Sequence, residues 1–198
     1  MSDDETFRRV LLFAVAILLP VGIYHRWKAA TSEKLDRLQE GLVLLISIRL
    51  LALIGVLGVV AFLINPEWMA WSSLPLPTWL RWAGVGLWAL VAIFAVWTFR
   101  NLGKNLTDTV VTRKEHNLVT NGPYRWVRHP FYICVFLGLL AVSLMTANWY
   151  VFAAGALVSA LLVLRTKKEE DKLVERFGDD YRRYMATTGR FWPRFRRV

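Results

Sequence analysis

The stretch FYICVFLGLLAVSLMTANWYVFAAGALVSALLVL, residues 131–164, runs for 34 positions without a charged side chain. As one straight α-helix it would reach about 51 Å, against a hydrocarbon core roughly 30 Å thick. It therefore has to turn. Thr146-Ala147-Asn148 is its only polar interruption with turn-forming chemistry, so the stretch divides into two short helices, 131–145 and 149–164, leaning together as a hairpin.

Outward from this hairpin, residues 11–24, 41–64 and 79–99 form further apolar runs that no soluble domain of 198 residues could bury. With 56% hydrophobic and 20% charged residues, a soluble enzyme, a disulfide scaffold and a disordered tail are excluded. The expected fold is an all-α integral membrane protein with about five transmembrane helices, the last two a short hairpin. Arg8 and Arg9 before an apolar run resemble a signal peptide, but Tyr24-His25-Arg26-Trp27 offers no small-residue cleavage site. The lone cysteine, Cys134, lies in an apolar run, and neither end of the sequence carries a lipidation motif.

The net charge of +10 raises the possibility of nucleic acid, yet topology accounts for it. With five crossings, Arg26, Lys28, Lys34, Arg37, six cations from Arg100 to Arg128 and eleven from Arg165 onward share one side. Arg8, Arg9 and Arg81 lie opposite. By the positive-inside rule the N-terminus is outside, while the large loop and the C-terminus are cytoplasmic. Attraction to anionic membrane lipids follows; a nucleic-acid partner does not. Trp68, Trp71, Trp79, Trp82, Trp149 and Tyr150 read as interfacial belt residues.

Loop 100–128 is long, polar and broken by Gly103, Asn105, Gly122 and Pro123, a length that in compact proteins usually accompanies function or disorder. Past Arg165 the pattern becomes amphipathic: Glu169, Leu173 and Phe177 recur every four residues, and Tyr181 and Tyr184 continue the stripe. Gly178 permits a break with Asp179 as an N-cap. This tail is expected on the membrane surface, covering the loop.

Gly84-Val85-Gly86-Leu87-Trp88-Ala89 matches a dinucleotide fingerprint, but lies inside an apolar helix, where glycine allows close packing. The absence of Walker, CxxC and HExxH patterns leaves no case for a metal. Arg49, inside 41–64, either has a function or reaches the interface or a carboxylate such as Glu40. The densest polar cluster is Gly122-Pro123-Tyr124-Arg125-Trp126-Val127-Arg128-His129-Pro130-Phe131-Tyr132. Pro130 suits the first turn of a helix. Donors, a titratable ring and stacking faces here can bind a nucleoside, or can simply anchor an interface. In Arg165-Thr166-Lys167-Lys168-Glu169-Glu170, Arg165 and Glu169 face each other at i,i+4, and Glu169 heads the apolar stripe. A plain intrahelical ion pair is the blander alternative.

These clusters together resemble the isoprenylcysteine carboxyl methyltransferase family and its prokaryotic relatives, within the wider phospholipid methyltransferase-like group. The resemblance spans about residues 101–193: Asn101-Leu102-Gly103, His116-Asn117-Leu118-Val119, Gly122-x-Tyr124, Arg128-His129-Pro130-x-Tyr132, Arg165-x-x-x-Glu169-Glu170, Phe177-Gly178-x-x-Tyr181-x-x-Tyr184, and Thr188-Gly189-Arg190 with Pro193. The chain reads as one membrane domain over 1–198, with a three-helix N-terminal part at 7–99 that shows no motif beyond its membrane helices. Residues 100–198 would bind S-adenosyl-L-methionine, enclosed by the cytoplasmic loop and the C-terminal helices, and carry catalysis. His116, Asn117, Leu118, Val119, Tyr124, His129, Pro130, Phe131 and Tyr132 would line the cofactor pocket, with Glu169 and Glu170 opposite. Arg165 and Glu169 would be catalytic, Arg165 orienting the acceptor.

The implied reaction is carboxyl O-methylation of a prenylcysteine-like or other lipophilic acceptor, with no obligate protein partner. Methyl transfer from a sulfonium is an in-line displacement in which positioning dominates. A carboxylate acceptor needs no general base, and a guanidinium can hold one oxygen while the other attacks. The alternatives are a phospholipid or small-lipid N-methyltransferase, a sterol-reductase-like NADPH enzyme, and a non-enzymatic membrane scaffold.

Overall fold

The computed structural model describes residues 3–29, 41–103 and 118–194, apart from the side chains of Arg26 and Ala29. Among the described residues the chain forms six α-helices: α1 Asp3–Ala29, α2 Leu42–Ile64, α3 Thr78–Leu102, α4 Pro130–Thr146, α5 Trp149–Phe177 and α6 Asp179–Thr187. Two 3₁₀ helices, Pro66–Ser72 and Gly122–Arg125, occupy connections. α1, α2, α3 and α5 are long and apolar enough to cross a membrane, and α4 is a shorter apolar helix of 17 residues. The protein is a multi-pass, all-α membrane protein with the five helices that the hydropathy predicts.

Its helices pack closely where side chains are small. A Cβ placed on Gly84 would stand 2.8 Å from the Leu144 Cβ and 3.0 Å from the Ala141 carbonyl, so α3 and α4 touch there with only hydrogen between them. That contact explains the glycine of the false dinucleotide pattern. α2 packs against α5 and fills the side of the bundle around Tyr132, Val158 and Leu162 with Ile48, Leu51 and Ala52.

The hairpin turn forms where the polar interruption predicts it. Ala147 takes the left-handed conformation (φ 47°), ending α4. The Asn148 carboxamide oxygen accepts from the amides of Tyr150 (3.1 Å) and Val151 (3.2 Å), capping α5. Its nitrogen donates to the Met69 carbonyl and the Ser72 hydroxyl, pinning the turn to the first 3₁₀ helix. Arg81 reinforces this end: buried at 5% exposure, it donates twice to the Met145 carbonyl and once to Asp4. Its guanidinium also lies 4.2 Å from the centre of the Phe7 ring. Trp71 meets Trp149 edge-on beside it.

One boundary moves here. The second arm of the hairpin does not end at Leu164; residues 165–177 extend α5 without interruption to Phe177. The i→i−4 ladder is indifferent to side-chain polarity, and Lys, Glu and Leu all favour helix, so no break occurs before Gly178 (φ 55°). At 29 residues α5 is about 43 Å long, and its charged last turns stand beyond the apolar part that ends at Leu164. Gly178 itself, rather than Asp179, occupies the N-cap of α6.

Candidate active site

The end of the bundle opposite Arg81 collects the polar motifs. Pro130 is the first residue of α4, and His129 sits just before it as N-cap, because proline supplies the helical φ without an amide hydrogen that would need a partner. Residues 127–129 run alongside the segment after α6. The Arg128 amide donates to the Gly189 carbonyl (2.8 Å) and the His129 amide to the Arg190 carbonyl (3.1 Å). A Cβ on Gly189 would collide with the Trp192 carbonyl, so only glycine lets the strap bend back. The bend brings the Phe191 ring against His129 and Phe136.

Two consecutive glutamates on α5 meet this segment differently. Glu170 is enclosed, its side chain 7% exposed. Its Oε1 accepts from Arg128 Nε (2.9 Å) and Arg190 Nε (3.2 Å) and lies 3.1 Å from His129 Nε2, while Oε2 accepts from the other end of the Arg190 guanidinium. Burial alone would push the Glu170 carboxyl up. The hydrogen bonds from His129, Arg190 and Arg128 more than reverse that, holding it at about 2. An ionised acceptor requires His129 Nε2 to carry the hydrogen.

Glu169 keeps 29% of its side chain exposed. Oε2 accepts from the Tyr132 hydroxyl at 2.6 Å, and Oε1 lies 3.9 Å from His129 Nδ1. His129 stacks on Tyr132 with centroids 5.4 Å apart and planes 6° from parallel. Arg165 lies one helical turn before Glu169 and is half-buried, its Nε shielded from solvent.

The remaining predicted residues are distributed around this core. Tyr124 is buried, its carbonyl accepting from the Tyr184 hydroxyl at 2.5 Å. Desolvation, with the Glu169 charge adding to it, raises the Tyr124 hydroxyl well above the usual phenol range, so it remains a neutral donor. Pro130 is buried, Phe131 is half-buried against Phe99, and Leu118 and Val119 are half-buried. His116 and Asn117 lie outside the described residues. Sequence reasoning gave Arg128 and Arg190 no role in the site, although both stood in quoted motifs; two cations converging on a glutamate from separate segments have no signature in spacing.

The chemistry on offer is a cationic-ligand site: an accessible carboxylate oxygen, a histidine nitrogen and two aromatic faces, beside a guanidinium able to hold an anion. A sulfonium nucleoside with an amino-acid tail fits that donor and acceptor set.

Residues 84–175 match the isoprenylcysteine carboxyl methyltransferase family. The chain is 38% identical over 82 residues to the cobalt-zinc-cadmium resistance protein CzcN of Cupriavidus metallidurans, covering 41% of this chain and 38% of that protein. It is 35% identical to methanethiol S-methyltransferase of Pseudomonas deceptionensis, over 61% of this chain and 46% of that one. Against human protein-S-isoprenylcysteine O-methyltransferase the identity is 31%, over 58% and 41%. The chain thus spans less than half the length of each. A solved eukaryotic intramembrane Ras methyltransferase shares the fold, with TM-score 0.50 and 21% identity over 76% of this chain and 51% of that one.

Proposed function

We infer, from the match of residues 84–175 to the isoprenylcysteine carboxyl methyltransferase family, an integral-membrane enzyme that methylates a lipophilic acceptor from S-adenosylmethionine. A carboxylate oxygen, as in a prenylcysteine, is the acceptor best matched to the site. The observation that carries this reading is the meeting of two distant stretches: Tyr132 and His129 on one side, Glu169 and Glu170 on the other, within hydrogen-bond reach.

When bound, S-adenosylmethionine supplies a methyl group activated by its sulfonium. Residues 116–119, Tyr124 and residues 129–132 would hold it from one side, and Glu169 from the other. The free oxygen of Glu169 would take the ammonium of the amino-acid tail, and the rings of Tyr132 and Phe131 would exclude water. Arg165 would grip one oxygen of the acceptor carboxylate and present the other, which needs no base. The polar end of the bundle is then the cytoplasmic one, with the N-terminus outside, since the cations gather there. Residues 7–99 serve as membrane support and 100–198 as the catalytic part of one domain.

A second reading is S-methylation of a small thiol, favoured by the likeness to methanethiol S-methyltransferase, which covers 61% of this chain. The test is transfer of label from S-adenosylmethionine by the whole chain in lipid nanodiscs to a prenylcysteine, methanethiol or phosphatidylethanolamine. A base-labile methyl ester on the prenylcysteine is expected. Label on the thiol alone moves the assignment to S-methylation, and label on none, with no binding of S-adenosylhomocysteine, overturns the methyltransferase reading.

A further inference from the structure

Arg190 lies after α6, in a segment to which the reaction gives no task. It is the residue that grips both oxygens of Glu170, through Nε on Oε1 and a terminal nitrogen on Oε2. Arg128 touches Oε1 only, and its own terminal nitrogen is turned to the Met185 and Thr188 carbonyls. A carboxylate held at one oxygen can still rotate about its bond to the chain; one held as a fork cannot. The fork sets the plane in which Oε1 faces His129 Nε2 at 3.1 Å.

We propose that Arg190 is a positioning residue, which selects the tautomer of His129 by fixing the orientation of the Glu170 carboxylate. When the ring is neutral, a hydrogen kept on Nε2 leaves the Nδ1 lone pair on the side of Glu169 Oε1, 3.9 Å away. Two acceptors then stand 3.9 Å apart, a pairing suited to a cationic donor group. The other tautomer would place a donor there and forfeit the second acceptor. The strap that carries Arg190 is fixed to the same histidine through the main chain, since the Arg190 carbonyl accepts from the His129 amide. Side chain and backbone of one residue thus set both the position of the ring and its hydrogen. The consequence for cofactor affinity rests on the methyltransferase reading; the tautomer does not.

The experiment is long-range proton–nitrogen NMR on the whole chain in nanodiscs with ¹⁵N-histidine, above the pH range of histidine protonation. The chain has three histidines, and His129→Gln identifies the signal. The wild type is expected to show His129 with hydrogen on Nε2. Arg190→Met is expected to bring the Nδ1–H form to a comparable population and to weaken S-adenosylhomocysteine about tenfold, the loss of one charge-assisted hydrogen bond. Arg190→Lys, which keeps the charge but not the fork, is expected to leave the Nδ1–H form populated as in Arg190→Met; a wild-type spectrum in that variant would assign the tautomer to charge alone and overturn the proposal. If Arg190→Met does not fold, Arg190→Gln is read by the same signal. An unchanged tautomer in the folded variant overturns the proposal. Failure of the wild type to bind S-adenosylhomocysteine sinks the cofactor reading instead, and leaves the tautomer result standing.

Discussion

The Tyr132 hydroxyl donates to Glu169 Oε2 at 2.6 Å, tying the third residue of α4 to a carboxylate 37 positions later on α5. The bond engages one oxygen of Glu169 and leaves the other 3.9 Å from His129 Nδ1. It also ties the two arms of the hairpin at the site, far from the Asn148 turn that joins them covalently. Tyr132→Phe keeps the ring that stacks on His129 and removes the hydroxyl that makes this bond. Turnover is expected to fall roughly tenfold, the size of one hydrogen bond to a charged group, with the melting temperature almost unchanged. Labelled methyl transfer and thermal denaturation in the same detergent check both.

Glu169 itself should be less tolerant. Glu169→Gln preserves shape and can still accept from Tyr132, but removes the charge that would meet the cofactor's ammonium. S-adenosylhomocysteine affinity is expected to drop by about ten- to a hundredfold, measured by calorimetry. An unaltered affinity would remove Glu169 from the cofactor contacts.

At the opposite end, Arg81 binds Asp4 on α1 and the last carbonyls of α4 together. Arg81→Met leaves the Met145 carbonyl without its guanidinium partner, in a place shielded from water, at a cost of about 2 kcal/mol. The apparent melting temperature is expected to fall, while the affinity for S-adenosylhomocysteine stays within about twofold, because the network is remote from His129.

The two glycines of the rejected dinucleotide pattern make a paired experiment. At Gly84 a methyl group would press on Leu144 and the Ala141 carbonyl, whereas at Gly86 it would meet nothing within 4 Å. Gly84→Ala is expected to destabilise by about 1–3 kcal/mol as an overpacked contact, and Gly86→Ala to be neutral or slightly stabilising, as helix propensity suggests. Equal effects at both positions would show that α3 and α4 do not pack as described.

The contrast between these sites shows what a sequence can carry. Five membrane helices follow from hydropathy because burial in lipid constrains every residue of a 20-residue run at once. The turn at Ala147-Asn148, the start of α4 at Pro130 and the break at Gly178 follow from local backbone chemistry. Leu164 ends the uncharged run but not the helix, since the i→i−4 ladder continues through a change of side-chain polarity to Phe177. Arg81 was counted only as an outer-side charge; its burial depends on Asp4 and Met145, 77 and 64 positions away. Arg190 on Glu170 is the same case at the site. A single long-range ion pair leaves no periodicity to find.

Glu170 gives the closure a dependence on pH with a definite sign. Its folded-state value of about 2 lies below the ordinary 4.5, so the unfolded or opened chain binds the proton more readily. The stabilisation from the Arg128, His129 and Arg190 cluster is therefore complete above about pH 4.5 and is lost as pH falls from there toward 2. Amide protection factors across residues 179–191, each taken against the intrinsic exchange rate at its pH, should fall over that window, and Glu170→Gln should flatten the response, its amides being less protected at neutral pH and losing little more in acid. Protection in this segment that stays constant down to pH 2, or that changes identically in Glu170→Gln, would mean that the strap is held by its main-chain bonds to residues 127–129 and not by the carboxylate.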